Sequence, residues 1–223
     1  MARRRRWSTE EILDTAIELL RTSDAESFSV RRLATALGTD SSSLYRHFRS
    51  KTELLRAVTD RVLVDAMDGY QPEGDWRRRL TAVATRLWEA FGRHPQIAPL
   101  WGRYASVGTG SRLVMEETLQ ALTAAGLPAD EIPGHYHRLA TLLVALVSAG
   151  AGAGTMTPEE YEQGLETFRV TVLGADPERF PALARHAREL RPLLENRRAA
   201  FDELLAAHLD QLQAAVPVRD GKR

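Results

Sequence analysis

The stretch "LGTDSSSLYRHFRSKTELL", Leu37–Leu55, decides the fold of the chain that carries it. Ser, Thr and Asp in succession normally mark a loop, because short polar side chains compete with the backbone for its hydrogen bonds. Behind the three serines, however, Leu44 and Phe48 stand four apart, the spacing of one helix face, with Tyr45, Arg46, His47 and Arg49 around them. Gly38 closes the preceding helix, as a glycine just past a helix end does. Thr39 or Asp40 can then cap a short helix through Phe48, and Ser50-Lys51-Thr52-Glu53 has the form of a capping box that opens another. A helix ending in glycine, a tight turn and a helix with a small polar start make the pattern of a helix-turn-helix. Leu44 and Phe48 would face the core, while the serines let the helix start come close to a groove.

Working outward, Ser8-Thr9-Glu10-Glu11 is a second capping box, followed by the apolar face of Ile12, Leu13, Ala16, Ile17, Leu19 and Leu20. Ser29 can cap a helix carrying Val30, Leu33, Ala34 and Leu37. The helix opened at Ser50 runs to about Asp68, and Gln71-Pro72-Glu73-Gly74 reads as a linker. Beyond it, Leu80, Val83, Ala84, Leu87, Trp88 and Phe91 form one face of a helix over 77–92, which His94-Pro95 and Pro99 break. Further helical patterns cover 111–125, 133–149, 158–173, 180–194 and 195–215, and the tail from Pro217 is expected to fray. No stretch alternates with the period of a strand, and no internal repeat is visible. The expected fold class is all-α.

Composition bounds the function. In 223 residues, 43% hydrophobic and 27% charged, there is no cysteine, which excludes disulfides and thiolate metal sites. The longest apolar run, 139–153, falls short of the roughly 20 residues a membrane span needs, so a soluble, cytoplasmic protein with no membrane partner is expected. Net charge is zero, yet residues 1–51 hold ten basic and seven acidic residues and so carry +3. That asymmetry points to an anionic partner for one end of the chain only.

Phe28 to Val58, "FSVRRLATALGTDSSSLYRHFRSKTELLRAV", closely resembles the DNA-binding region of the TetR (tetracycline-repressor) family of bacterial regulators. The matching features are Leu33-Ala34, Leu37-Gly38, Leu44-Tyr45-x-His47-Phe48 and Ser50-Lys51-x-x-Leu54-Leu55. The resemblance implies an N-terminal three-helix helix-turn-helix DNA-binding domain at 1–57 and a C-terminal helical ligand-binding and dimerisation domain at 58–223. It implies that Tyr45, His47 and Lys51 touch phosphates of double-stranded operator DNA, and that Thr39, Ser41, Ser42 and Ser43 face base edges or nearby phosphates. Ser29 and Arg31, at the start of the second helix, complete the expected DNA-binding set. Phosphate contacts orient such a module, and base edges are read from the start of the recognition helix. Arg3 to Arg6 are either a DNA-contacting arm or a solvated tail.

The family further implies a homodimer built from two late helices of each copy. Here these are 133–149 and 195–215, with Leu139, Leu142, Leu146, Leu205 and Leu209 as the expected interface and Ala145, Ser148 and Ala149 permitting close approach. Leu139 to Leu146 can equally belong to a helix buried within each monomer. Residues 159–168 and 180–212 look like the C-terminal region of the tetracycline-repressor branch. In that branch a histidine holds drug-bound magnesium where a rough alignment puts Trp101, which counts against a tetracycline–magnesium effector.

Three of the four tryptophans, Trp76, Trp88 and Trp101, fall within 26 residues, together with Phe91 and Tyr104. The expected ligand pocket is Thr81, Thr85, Trp88, Phe91, Trp101 and Tyr104, suited to a small, flat hydrophobic effector; plain core packing is the competing account of each aromatic. No metal and no cofactor are expected: His135 and His137 diverge on a helix, and no HExxH occurs. "AGAGAGT", Ala149 to Thr155, lacks the strand and spacing of a phosphate loop and reads as a helix terminus. No nucleophile–base pair or paired carboxylates stand out, so an enzyme is not expected. The reading is a homodimeric repressor released from a near-palindromic operator by a small molecule. Its alternatives are an activator, a ligand-independent regulator, or a helical carrier or enzyme that retained a helix-turn-helix.

Overall fold

The computed structural model describes residues 7–22, 27–104 and 108–217, which form eleven α-helices and, among the described residues, no strand. The N-terminal head is α1 (Thr9–Arg21), α2 (Val30–Ala36), α3 (Ser41–Tyr45) and the first turns of α4 (Lys51–Met67). The body contains the rest of α4 with α5 (Trp76–Gly92), α6 (Ala98–Arg103), α7 (Thr109–Ala124), α8 (Ile132–Gly152), α9 (Pro158–Leu173), α10 (Pro181–Glu195) and α11 (Arg197–Ala215). The tail beyond Pro217 and Arg3 to Arg6 lie outside the described residues.

The caps account for the helix starts. Ser8 Oγ accepts from the Glu11 amide at 3.1 Å and the Glu11 carboxylate accepts from the Ser8 amide at 2.8 Å, a complete capping box. Ser29 caps α2 through the Arg32 amide, and Gly38 follows with φ of +62°, where a side chain is disfavoured. Asp40 rather than Thr39 caps α3, accepting from the Ser43 amide at 2.8 Å. α3 ends at Tyr45, three residues short of the expected end, but the Phe48 amide still bonds the Leu44 carbonyl and Phe48 stays buried. The expected box at Ser50 is only half made. Ser50 caps α4 through the Glu53 amide, while the Glu53 carboxylate accepts from the Arg49 amide at 2.7 Å instead.

α4 is the spine. Leu54, Leu55 and Val58 are buried in the same continuous core as Ile12, Leu20, Leu33, Leu44 and Phe48, and further along α4 Val62 and Leu63 continue that core among α5 and α7. The expected division at 57/58 therefore falls inside one unbroken helix. Its last carbonyls are satisfied by α5: Arg86 Nε donates to Ala66 O at 2.8 Å and its terminal nitrogen to Asp68 O. On the inner face of α5, Leu80, Val83, Leu87 and Phe91 join Leu139, Leu143 and Val147 of α8 and Phe201, Leu205, Leu209 and Leu212 of α11.

Two local features differ from expectation. α6 forms where prolines were expected only to break the chain, because Pro99 stands in its first turn, where no amide hydrogen is needed. Within 149–155, Gly150 has a packing reason. A Cβ on Gly150 would sit 2.2 Å from the Trp88 ring, so only glycine lets the indole cross α8 and lie 4.6 Å from Phe201. None of the described helices is long and apolar enough to cross a membrane.

Candidate nucleic-acid interface and ligand cavity

On the head, the outer surface of α2 and α3 gathers the basic and aromatic residues. Arg31, Ser42, Tyr45, Arg46, His47 and Arg49 are exposed, Tyr45 by half of its surface, while Ser29, Thr39, Ser41, Ser43 and Lys51 are partly covered. Leu44 and Phe48 point inward and hold α3 against α2. The three serines are not equivalent. Ser42 Oγ donates to Asp40, and Ser43 Oγ accepts from Arg46 Nη2 at 3.2 Å, whereas the Ser41 hydroxyl has no hydrogen-bond partner among the described residues. His47 Nδ1 lies 3.3 Å from Thr9 Oγ1 and so braces α1. Lys51 Nζ donates to the Phe28 carbonyl at 2.5 Å and sits 5.8 Å from the centre of the Phe28 ring, tying α4 to the loop before α2. An ammonium has three donors, so that structural bond leaves others for an anion.

In the body, a cavity of about 600 Å³ lies between α4, α5, α6, α7 and α8. Its wall takes Leu63, Leu87, Trp101 and Gly102 from the first three, Ser111, Val114, Met115 and Thr118 from α7, and Tyr136 to Ala145 from α8, Arg138 and Leu142 excepted. The size is ordinary for a small-molecule site. A larger open cleft of about 1010 Å³ beside the head is edged by Glu10, Glu53, Asp60, Asp65 and Asp68 against Arg56 and Arg61, a poor lining for an apolar molecule.

Of the six residues expected to form a pocket, only Trp101 lines this cavity. Thr81 is exposed and its hydroxyl donates to the Arg77 carbonyl one turn back. Trp88 faces Gly150 and Phe201, and Phe91 is fully buried, stacked on the far side of Trp101 with ring centres 4.9 Å apart and planes at 12°. Thr85 is half-buried away from the cavity wall, and Tyr104 lies against Arg103. The apolar face of α5 is consumed by the core, and α5 offers the cavity Leu87 alone. Sequence reasoning missed the α7 and α8 walls because one helix pattern cannot say which apolar residues meet atoms and which meet a void.

The expected interface leucines are also placed differently. Leu139, Leu205 and Leu209 are buried inside the protomer, with Leu139 on the cavity wall, and Leu142 and Leu146 are half-buried. Ser148 donates to the Ala98 carbonyl at 3.2 Å and so serves α6. The surfaces that α8 and α11 leave outside carry Thr141, Ala145 and Ala149 on one and Leu204, Ala207 and Gln211 on the other, with Leu204 46% exposed.

Head and cavity meet at Asp60. Its carboxylate, on α4, accepts from the Gly110 amide at 3.0 Å, the Ser111 amide at 2.9 Å and the Ser111 hydroxyl at 3.1 Å, capping the start of α7. A Cβ on Gly110 would meet the Asp60 carbonyl at 2.4 Å and the Val64 amide at 2.6 Å, so glycine is needed for the approach. Ser111 is itself a cavity residue. A second tie lies at the end of α4, where Glu117 of α7 accepts from Tyr70 at 2.8 Å and from Arg79 at 2.8 and 3.0 Å. Burial opposes the Glu117 charge, but these hydrogen bonds win and hold its carboxyl below the usual value; burial, reinforced by Glu117, pushes the Tyr70 hydroxyl up to about 12. The sequence signal for the first tie was an acidic residue inside an apolar helix together with a Gly-x-Gly downstream.

Comparison with known proteins bears on both halves. The chain is 26% identical over 155 residues to the HTH-type transcriptional repressor DrrR1 of Streptomyces coeruleorubidus, an alignment covering 69% of this chain and 56% of that protein. It is 31% identical over 140 residues to the HTH-type transcriptional repressor Rv1353c of Mycobacterium tuberculosis, covering 58% and 52%. The chain thus spans about half the length of the curated relatives it matches. A structural-genomics crystal structure from Streptomyces coelicolor A3(2) is 63% identical with a TM-score of 0.80, over 96% of this chain and 100% of that one. ActR of Streptomyces coelicolor, solved in complex with actinorhodin, shares the fold with a TM-score of 0.82 at 23% identity, over 95% and 99%. The model of bacterial regulatory proteins of the tetR family matches residues 12–58, and that of the tetracyclin repressor-like C-terminal domain matches residues 69–216. With both halves matched, the chain belongs to the TetR family of bacterial regulatory proteins.

Proposed function

We propose that the protein is a homodimeric transcriptional repressor that binds operator DNA through α2 and α3 and is released by a small molecule in the 600 Å³ cavity. The repressor names of the curated relatives and the actinorhodin complex of ActR support the class. The observation that carries the reading is the continuity of α4. Its first residue, Lys51, sits at the head, Leu63 lines the cavity, and Asp60 between them grips Ser111 on the cavity wall. An effector that shifts α7 must pull on Asp60 and so tilt the helix that carries the head. By linkage, a ligand that disfavours the DNA-binding geometry lowers DNA affinity, and DNA lowers ligand affinity by the same factor. The second copy would dock on the outer faces of α8 and α11, and the division of labour between head and body would be that expected at 57/58.

On DNA, Ser41, with its unspent hydroxyl, and Arg31, exposed on α2, would reach base edges, while Tyr45, His47 and Lys51 would meet phosphates. Residues 39–43 contain no Arg, Lys, Gln or Asn, so Arg31, at the exposed start of α2, is the forked side chain proposed to read guanine bidentately. Selection of operators from random duplexes tests this. The wild type should enrich a near-palindrome, and Arg31→Ala should lose about 1–3 kcal/mol and its preference at one symmetric guanine per half-site. Failure to enrich any sequence would refute the DNA-binding reading; an unchanged consensus in the variant would refute the role of Arg31.

A further inference from the structure

We propose that the cavity takes an uncharged, flat aromatic molecule with a hydroxyl or carbonyl at one end, and that Tyr136 is the residue that selects for that group. This rests on the cavity being the effector site and adds the chemistry of its occupant.

Among the described residues, no Asp, Glu, Lys or Arg lines the cavity. An ionised ligand would leave water without meeting a counter-charge, a burial penalty that a neutral ligand of the same shape escapes. The polar groups on the wall are few and mostly spent. Ser111 Oγ donates to Asp60, and Thr118 Oγ1 donates to the Val114 carbonyl at 2.7 Å. His137 and Thr141 are exposed and belong to the rim. Apart from the Trp101 indole N–H, which can only donate, Tyr136 is the exception: it is half-buried, and its hydroxyl has no hydrogen-bond partner among the described residues. Burial also pushes that hydroxyl's pKa up, so near neutral pH it remains a protonated donor. A ligand that offers an acceptor there makes a bond that a plain hydrocarbon cannot. The remaining wall favours a ring: Trp101 is held flat by its stack on Phe91, and Leu63, Leu87 and Val144 are apolar.

The test titrates the full-length protein near neutral pH with pyrene, 1-hydroxypyrene, 1-methoxypyrene, pyrene-1-sulfonate and 1-pyrenemethylammonium, read by probe fluorescence anisotropy. The proposal expects 1-hydroxypyrene to bind at least ~10-fold tighter than either ion and roughly 2–10-fold tighter than pyrene. 1-Methoxypyrene, which accepts but cannot donate, should keep that advantage over pyrene, a readout that needs no variant. Tyr136→Phe should reduce 1-hydroxypyrene to the affinity of pyrene while leaving pyrene itself unchanged. An ion bound as tightly as 1-hydroxypyrene, no binding by any probe, or an oxygen preference that survives Tyr136→Phe would overturn the proposal. Operator selection uses no probe, so the failure of either reading is distinguishable from that of the other.

Discussion

Replacing Asp60 by Ala tests the joint between head and cavity most directly. The substitution leaves the Gly110 and Ser111 amides, and the Ser111 hydroxyl, without their acceptor. Loss of an N-terminal cap costs about 0.5–2 kcal/mol, and loss of the carboxylate from the positive end of α7 roughly 0.3–1 kcal/mol more. Gly110 and Ser111 are buried, so an amide left unpaired there adds about 1–3 kcal/mol. These overlap, and a total of about 2–4 kcal/mol is expected, or roughly 5–15 °C in midpoint for a domain of this size. Asp60→Asn keeps one acceptor oxygen and should cost about half as much. Urea unfolding at one fixed protein concentration measures all of this, with exposed Asp68→Ala expected within about 0.5 kcal/mol of wild type as the control. If Asp60→Ala cost less than about 0.5 kcal/mol, the carboxylate would not be clasping α7 in solution, and the proposed route from cavity to head would fall with it. If the clasp is real, Asp60→Ala should also weaken the effect of an effector on operator affinity more than it weakens operator affinity itself.

Leu204→Arg should give monomers in sedimentation and lose operator binding, because one recognition helix contacts only a half-site. The side chain is exposed in the protomer, so the variant should still fold, and an intact dimer would move the interface elsewhere. Glu117→Gln should flatten the acid limb of stability. Its lowered folded pKa stabilises the fold above the ordinary value of 4.5, and that stabilisation is lost as pH falls through the folded value. Urea midpoints that decline in parallel for variant and wild type down to about pH 3 would contradict this.

Much of the molecule was legible from local rules. The starts of α1, α2 and α4 follow from Ser8, Ser29 and Ser50, because an N-cap is satisfied within four residues and needs no knowledge of the rest of the chain. Gly38, Leu44 and Phe48 likewise specify the helix-turn-helix, since its turn and its core contacts lie close together in sequence. Residues 133–149 read as a helix, but which side of it faces a void, which faces α11 and which faces outward did not follow from the pattern. Leu139 and Leu205, expected outside, are inside, and Tyr136 emerged as the cavity's polar group only once α7 and α8 were set against each other.

The sequence by itself determined the head, the all-α class and the family, since each rests on short-range spacing and caps. Tertiary structure alone decided the cavity, the Asp60 clasp and the exposure of Leu204 on α11. A void, a bond between residues 50 apart and the exposure of one face are properties of how helices pack, and helices of the same pattern can pack in more than one way.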